Sequence, residues 1–203
     1  AGESRALVGE NGAGKSTLMK VLSGAYSADV GTISVFGTAV ENPTPANMIG
    51  KGVAVIYQEM AQAPHLSVAE NVLLGRLPRR AGGLVDWAEA RRQTAAVLER
   101  LGFDIDPAAC IDTLSVAKRQ MVEIARALTR NARIIVLDEP SAVLAASEIA
   151  QLFAIIRKLS SEDGVAFVYI SHRLVEVFDI AETVTVMRDG EVVHQCRTEE
   201  IDS

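Results

Sequence analysis

Alternation of strand-like and helix-like segments predicts an α/β fold: a mostly parallel sheet flanked by helices, with a helical insertion. Three observations carry this expectation. The short β-branched runs Gly52–Tyr57 (GVAVIY) and Ile134–Leu137 (IIVL) have no polar interruption, which suits strands covered on both faces. Segments with helical spacing sit between such runs at both ends of the chain. From Ser67 to Arg130 the strand signal gives way to helical character.

Taken in order, Arg5–Val8 is an apolar run ending at Gly9, a buried strand that feeds a glycine loop. Lys15–Leu22 has helical spacing and stops at Ser23-Gly24, a C-terminal cap. Gly31–Phe36 alternates like a strand and meets Gly37. Asp86-Trp87-Ala88-Glu89 reads as a capping box opening a helix through Leu101, which Gly102 ends. Ala117–Leu128 places Met121, Ile124, Ala125 and Leu128 on one helical face. Glu148–Leu159 is then a helix, and Ala166–Ile170 and Val184–Met187 are strands. Asp189-Gly190 makes a tight hairpin turn into Val192–His194. The expected organisation is one domain over 1–203. Its core comprises 1–66 and 131–203, and its helical subdomain 67–130.

Length and composition narrow the function. A chain of 203 residues, 49% hydrophobic and 23% charged, is an ordinary globular domain. A formal net charge of −6 with no Lys/Arg block argues against a large nucleic-acid face, which needs clustered positive charge to displace counterions. Cys110 and Cys196 are far apart, with no CxxC partner, as in a reduced setting. No apolar run approaches the roughly 18 residues that cross a bilayer, so a membrane role is expected to be peripheral, through a protein partner. The chain begins Ala1-Gly2-Glu3 without an initiator Met, and an upstream segment is expected.

Two motifs carry chemistry. Gly9-Glu10-Asn11-Gly12-Ala13-Gly14-Lys15-Ser16 fits G-x-x-x-x-G-K-[ST] between a strand and a helix. Its glycines let backbone N–H groups close around phosphate oxygens, and the helix N-terminus adds partial positive charge. Lys15 is placed for the β- and γ-phosphates, and the Ser16 hydroxyl for Mg²⁺. Ile134–Leu137 runs into Asp138-Glu139, so a strand end delivers a carboxylate to the Mg²⁺ shell. Glu139, one residue on, is placed to polarise an attacking water. The pair of motifs implies a P-loop NTPase.

Further motifs narrow the family. Leu114-Ser115-Val116-Ala117-Lys118-Arg119-Gln120 precedes an amphipathic helix and resembles the ABC signature, usually L-S-G-G-Q. Tyr57-Gln58-Glu59 resembles the Q-loop, and Ile170-Ser171-His172-Arg173 the switch-histidine loop. The order Walker A, Gln, signature, Walker B, His is that of the ABC ATPases, and the resemblance runs from Gly9 to Gly190. It is most like the ATP-binding subunits of bacterial monosaccharide importers of the ribose, xylose or galactose type. The stretches that carry this are Val8–Gly24, Ile56–Glu59, Leu66–Gly75, Met121–Leu128, Tyr169–Arg173 and Val184–Gly190. Those subunits usually hold two ATPase halves in one polypeptide, and this chain resembles the first. The resemblance adds a truncated antiparallel β subdomain to the expected fold.

Roles follow from that resemblance. Gly9, Asn11, Gly12, Ala13, Gly14, Lys15, Ser16 and Thr17 would hold the phosphates of ATP. Ser16, Gln58 and Asp138 would serve Mg²⁺, and Glu139, His172 and Gln58 the hydrolytic step. Ser115 would act in trans, on the nucleotide of a second ATPase half. Further implied partners are transmembrane permease subunits, contacted through Leu66–Asn71 and Arg76–Arg80, and indirectly a periplasmic sugar-binding protein. The implied location is the cytoplasmic face of the bacterial inner membrane.

The sequence also departs from the pattern. Ala117 stands for the signature's second glycine and Lys118 for its Gln, and Ala145 replaces a usual polar residue after Walker B. A methyl group where backbone must approach a γ-phosphate costs about 1 kcal/mol. Lys118 either supplies a compensating cation or faces solvent. The family's adenine-stacking aromatic lies upstream of Ala1, and Tyr26 is not expected to replace it. The fragment should therefore bind phosphates better than it selects a base, and should expose a sheet edge. A non-transport ABC ATPase and a degenerate, weakly hydrolysing half are the alternatives. Sustained heptads and charge blocks, which would favour the former, are missing from the sequence.

Overall fold

The apolar runs become eight strands: β1 (Ser4–Val8), β2 (Ser34–Val35), β3 (Thr38–Ala39), β4 (Val53–Ile56), β5 (Ile134–Asp138), β6 (Ala166–Ile170), β7 (Thr183–Arg188) and β8 (Glu191–Arg197). Among the described residues seven α-helices accompany them: α1 (Lys15–Leu22), α2 (Pro45–Gly50), α3 (Val68–Val72), α4 (Trp87–Leu101), α5 (Val116–Thr129), α6 (Ala146–Asp163) and α7 (Leu174–Ile180). This computed structural model describes residues 2–201, so Ala1, where an upstream segment would join, lies outside the described residues. By its internal contacts the chain divides into two compact units. One comprises the chain up to Gln58 and from Ala132 onward, and the other Glu59–Asn131.

The first unit is built on a six-stranded sheet in the order β4-β5-β6-β1-β7-β8. All neighbours are parallel except β7 and β8, which form a hairpin through Asp189-Gly190. Asp189 takes φ 51° and Gly190 φ 84°, the two left-handed residues such a turn requires. Ile135, Val136 and Leu137 of β5 and Tyr169 and Ile170 of β6 are fully buried, as continuous apolar strands between covering layers must be. The Phe153 ring of α6 meets the Tyr169 ring edge-to-face, with centroids 5.7 Å apart. The alternation over Gly31–Phe36 yields only the short β2, paired antiparallel with β3 in a separate ribbon. Met48 of α2 is fully buried with Val35, Val40 and Val53, which attaches the ribbon to the main sheet.

The second unit is helical. α3 opens with a full capping box: Glu70 N–H bonds the Ser67 hydroxyl, and the Glu70 carboxylate accepts from the Ser67 N–H at 2.8 Å. The box expected at Asp86 is half made. The Asp86 carboxylate accepts from Glu89 N–H at 3.1 Å, but Glu89 turns its own carboxylate to Arg92 and Gln93. Leu66–Asn71 is mixed: Ala69 is buried, whereas Leu66, Ser67 and Glu70 stay partly exposed. Val68 and Asn71 are fully buried, and the Asn71 amide pins the backbone of Ala63 and Ser67. Arg76 bonds the Thr129 carbonyl and Arg80 pairs with Asp86, within the same unit.

The start of α6 exposes the consequence of Ala145. This residue is the N-cap, in extended conformation (φ −71°, ψ 159°), with no side-chain oxygen to accept from the first turn. Glu148 supplies the other half of a capping box, accepting from the Ala145 N–H at 2.9 Å. Ala145→Ser completes the box and should raise unfolding free energy by about 1 kcal/mol in a denaturant titration.

Candidate nucleotide site

Four adjacent parallel strands deliver the site from their carboxyl ends. β1 runs into the glycine loop and α1, β4 into Gln58, β5 into Asp138-Glu139, and β6 into Ser171-His172. In open α/β sheets this edge is where ligands bind. A cleft of about 380 Å³ lies there, lined by Asn11 to Thr17 together with Gln58, Asp138 and Glu139.

The loop takes its shape from glycine at two left-handed positions, Gly12 at φ 89° and Gly14 at φ 95°, with Gly14 as the N-cap of α1. The first turn of α1 carries no acidic side chain, so its N–H groups and dipole remain available to an anion. Lys15 is buried, and its ammonium donates to the carbonyls of Gly9 at 2.8 Å and Glu10 at 3.0 Å. The loop thereby holds its own cation at the cleft floor.

Gly9 acts differently from the other loop residues. It is outside the cleft lining, and a Cβ there would meet the Met187 carbonyl at 2.3 Å. Its lack of a side chain permits the close approach of β7. The Gly190 N–H in turn donates to the Ala13 carbonyl at 3.1 Å, so the terminal hairpin buttresses the loop from behind. Sequence reasoning missed this contact because nothing local to residues 9–16 signals a partner so distant in the chain.

On the opposite wall the Ser16 hydroxyl lies 3.5 Å from an Asp138 carboxylate oxygen. Burial, and next the neighbouring Glu139 charge, push Asp138 above the ordinary carboxylate range, while Ser16, Lys15 and Lys20 act in the other direction. Among the described residues no group of three or more His, Cys, Asp or Glu could hold a metal by protein ligands alone. Ser16, Asp138 and Gln58 instead present a few hard oxygens to one cleft. That fits Mg²⁺, which is commonly bound by one or two protein oxygens plus substrate phosphates.

Glu139 is held at φ 48°, a left-handed conformation uncommon for a side-chain-bearing residue and enriched at functional positions. Its N–H bonds the Ile170 carbonyl at 3.0 Å, tying it to the end of β6. His172 is outside the cleft lining but stands at its border, with Nδ1 3.3 Å from a Glu139 carboxylate oxygen. Gln58 is positioned through its neighbour. Tyr57 lies 2.8 Å from the Ser23 hydroxyl at the end of α1, and that hydroxyl donates its proton to the Lys20 carbonyl. Tyr57 is thus the donor, and it fastens the Gln58 segment to the helix of the phosphate loop.

Residues 1–142 match the family model described as ABC transporter. The chain belongs to the ABC transporter family. It is 56% identical over 192 residues to "Ribose import ATP-binding protein RbsA" of Chelativorans sp. (strain BNC1), covering 95% of this chain and 37% of that protein. It is 52% identical over 202 residues to "Putative ribose/galactose/methyl galactoside import ATP-binding protein 1" of Rhizobium meliloti (strain 1021), covering 100% and 39%. The chain thus spans less than two-fifths of the length of these relatives. Among solved structures, a nucleotide-free ATP-binding cassette from an ABC transporter superposes with TM-score 0.83 at 26% identity, covering 97% of this chain and 81% of that one. The ADP conformation of MJ1267, an ATP-binding cassette of an ABC transporter, gives 0.84 at 28%, covering 98% and 82%. The fold is that of an ABC cassette.

The segment that resembles the ABC signature, Leu114–Gln120, lies in the helical unit. Ser115 is the N-cap of α5, and its hydroxyl accepts from the Lys118 N–H at 3.3 Å. Ala117 is buried, so its methyl packs inward. Lys118 is exposed, and its ammonium donates to the Asp104 carbonyl at 3.0 Å. Val116, which stands where the first signature glycine is usual and which the sequence reading did not single out, is exposed as well.

Each donor in the cleft can be weighed by deletion. Lys15→Ala should weaken Mg-ATP binding roughly tenfold to a hundredfold in calorimetry, the loss expected for a charge-assisted hydrogen bond.

Proposed function

We propose that this chain is an ATP-binding and ATP-hydrolysing domain that powers a bacterial ABC importer of a monosaccharide. The observation that carries the reading is the convergence of the glycine loop, Gln58, Asp138 and Glu139 on one cleft, with His172 bonded to Glu139. The sugar-import names of the relatives support the choice of cargo class.

In this reading the loop amides of Gly12–Ser16 and the Lys15 ammonium bind and orient a triphosphate. Ser16, Asp138 and Gln58 hold Mg²⁺, which when bound neutralises charge on the phosphate oxygens. Glu139 accepts a proton from the attacking water, and His172 orients that water and steadies the carboxylate. The strained backbone at Glu139 fixes the carboxylate before substrate arrives, so little reorganisation is left for the chemical step.

Ser115 serves the nucleotide of a second ATPase half, and the exposed Val116 sets how closely that half approaches. No described helix is long and apolar enough to cross a membrane. In this reading, which the import names of the relatives support, the domain acts peripherally, at the cytoplasmic face of the inner membrane, with permease subunits and indirectly with a periplasmic sugar receptor.

Glu139→Gln separates binding from turnover. The substitution should cut ATP hydrolysis by about a hundredfold or more while leaving Mg-ATP affinity essentially intact. Unchanged turnover in a phosphate-release assay would refute the assignment of the base.

A further inference from the structure

A buried carboxylate outside the cleft joins the two loops that carry the hydrolytic pair. Glu176, on α7, is 5% exposed. One of its oxygens accepts from three hydroxyls: Ser141 at 2.5 Å, Tyr169 at 2.8 Å and Ser171 at 3.2 Å. The other lies 2.5 Å from an Arg173 guanidinium nitrogen. All three hydroxyl-bearing residues are buried as well. Burial pushes the Tyr169 phenol well above its ordinary pKa, which keeps it a donor.

Ser141 is two residues after Glu139, and Ser171 is one residue before His172. The Ser171 hydroxyl donates to Glu176 and accepts from the Arg173 N–H at 3.0 Å, which closes the turn presenting His172. Short loops pinned immediately beside a reacting pair transmit the position of the pin to the pair. Burying a carboxylate is costly unless it is paired and hydrogen-bonded, and here those partners are supplied by the two loops themselves.

We infer that Glu176 is a positioning residue for hydrolysis, setting the distance between Glu139 and His172 by holding Ser141 and Ser171 on one carboxylate oxygen. It touches neither substrate nor the reacting atoms. The inference rests on the reading of Glu139 and His172 as the hydrolytic pair.

Four variants of the intact, assembled ATPase test it: Glu176→Gln, Ser141→Ala/Ser171→Ala, Tyr169→Phe and Glu139→Gln. Tyr169→Phe removes a bond to the same carboxylate but neither loop anchor. Misplacement of the pair should lower kcat roughly tenfold to a hundredfold in Glu176→Gln and in the double serine variant, with KM and Mg-ATP affinity within about twofold of the parent. Tyr169→Phe should melt earlier yet keep its kcat. If the double serine variant melts earlier but retains kcat, Glu176 serves stability alone and the inference falls. It falls equally if Tyr169→Phe loses as much turnover as the serine variant. Should Glu139→Gln leave turnover intact, the reading beneath the inference fails first; loss of turnover there alone overturns only the role of Glu176.

Discussion

The register of the parallel strands β5, β6 and β1 is the constraint on which the site depends. Asp138 pairs across to Ile170, and Ile170 in turn to Leu7, so the three strands end at one level. β6 separates the phosphate-loop strand from the acidic strand, and that spacing leaves the Ser16 hydroxyl within 3.5 Å of Asp138. A one-residue slip would turn every side chain to the opposite face. The fully buried runs of β5 and β6 resist such a slip because each apolar residue is covered.

Around that frame, a few local choices prepare the cleft. Lys15 is held by carbonyls of its own loop, so the cation needs no carboxylate partner that would compete with phosphate. Glu139 occupies a left-handed conformation, sustained by its bond to the Ile170 carbonyl and by the anchoring of Ser141 two residues on. Tyr57 and Ser23 link the Gln58 segment to α1. In each case the group proposed for the chemistry is placed by a neighbour with no such role.

Much of this was legible in the sequence, and the rest was hidden for physical reasons. The phosphate loop and the Asp138-Glu139 strand end are short-range patterns, and the structure brings them to one cleft with Gln58. Helices α1, α4 and α5 and strands β4 to β7 follow apolar periodicity closely. By contrast, the Glu176 cluster, the Gly190–Ala13 bond and the approach of Met187 to Gly9 join residues remote in sequence, with no local pattern to betray them. The helices α2, α3 and α7 are too short for periodicity to register. Ala117 is buried, and the exposed Lys118 bonds the Asp104 carbonyl, neither of which the motif itself announces.

The contact between Gly190 and Ala13 has a consequence for biosynthesis. β1 is synthesised before β6 and β7 yet lies between them, and the back wall of its loop is supplied by a hairpin near residue 190. During translation, the phosphate-loop segment therefore waits, incompletely framed, until the β7–β8 hairpin has emerged from the ribosome. Long-range closure of this kind is slow and leaves apolar strands uncovered in the interval. A nascent chain halted before β7 would carry the full phosphate-loop motif without the scaffold that shapes it.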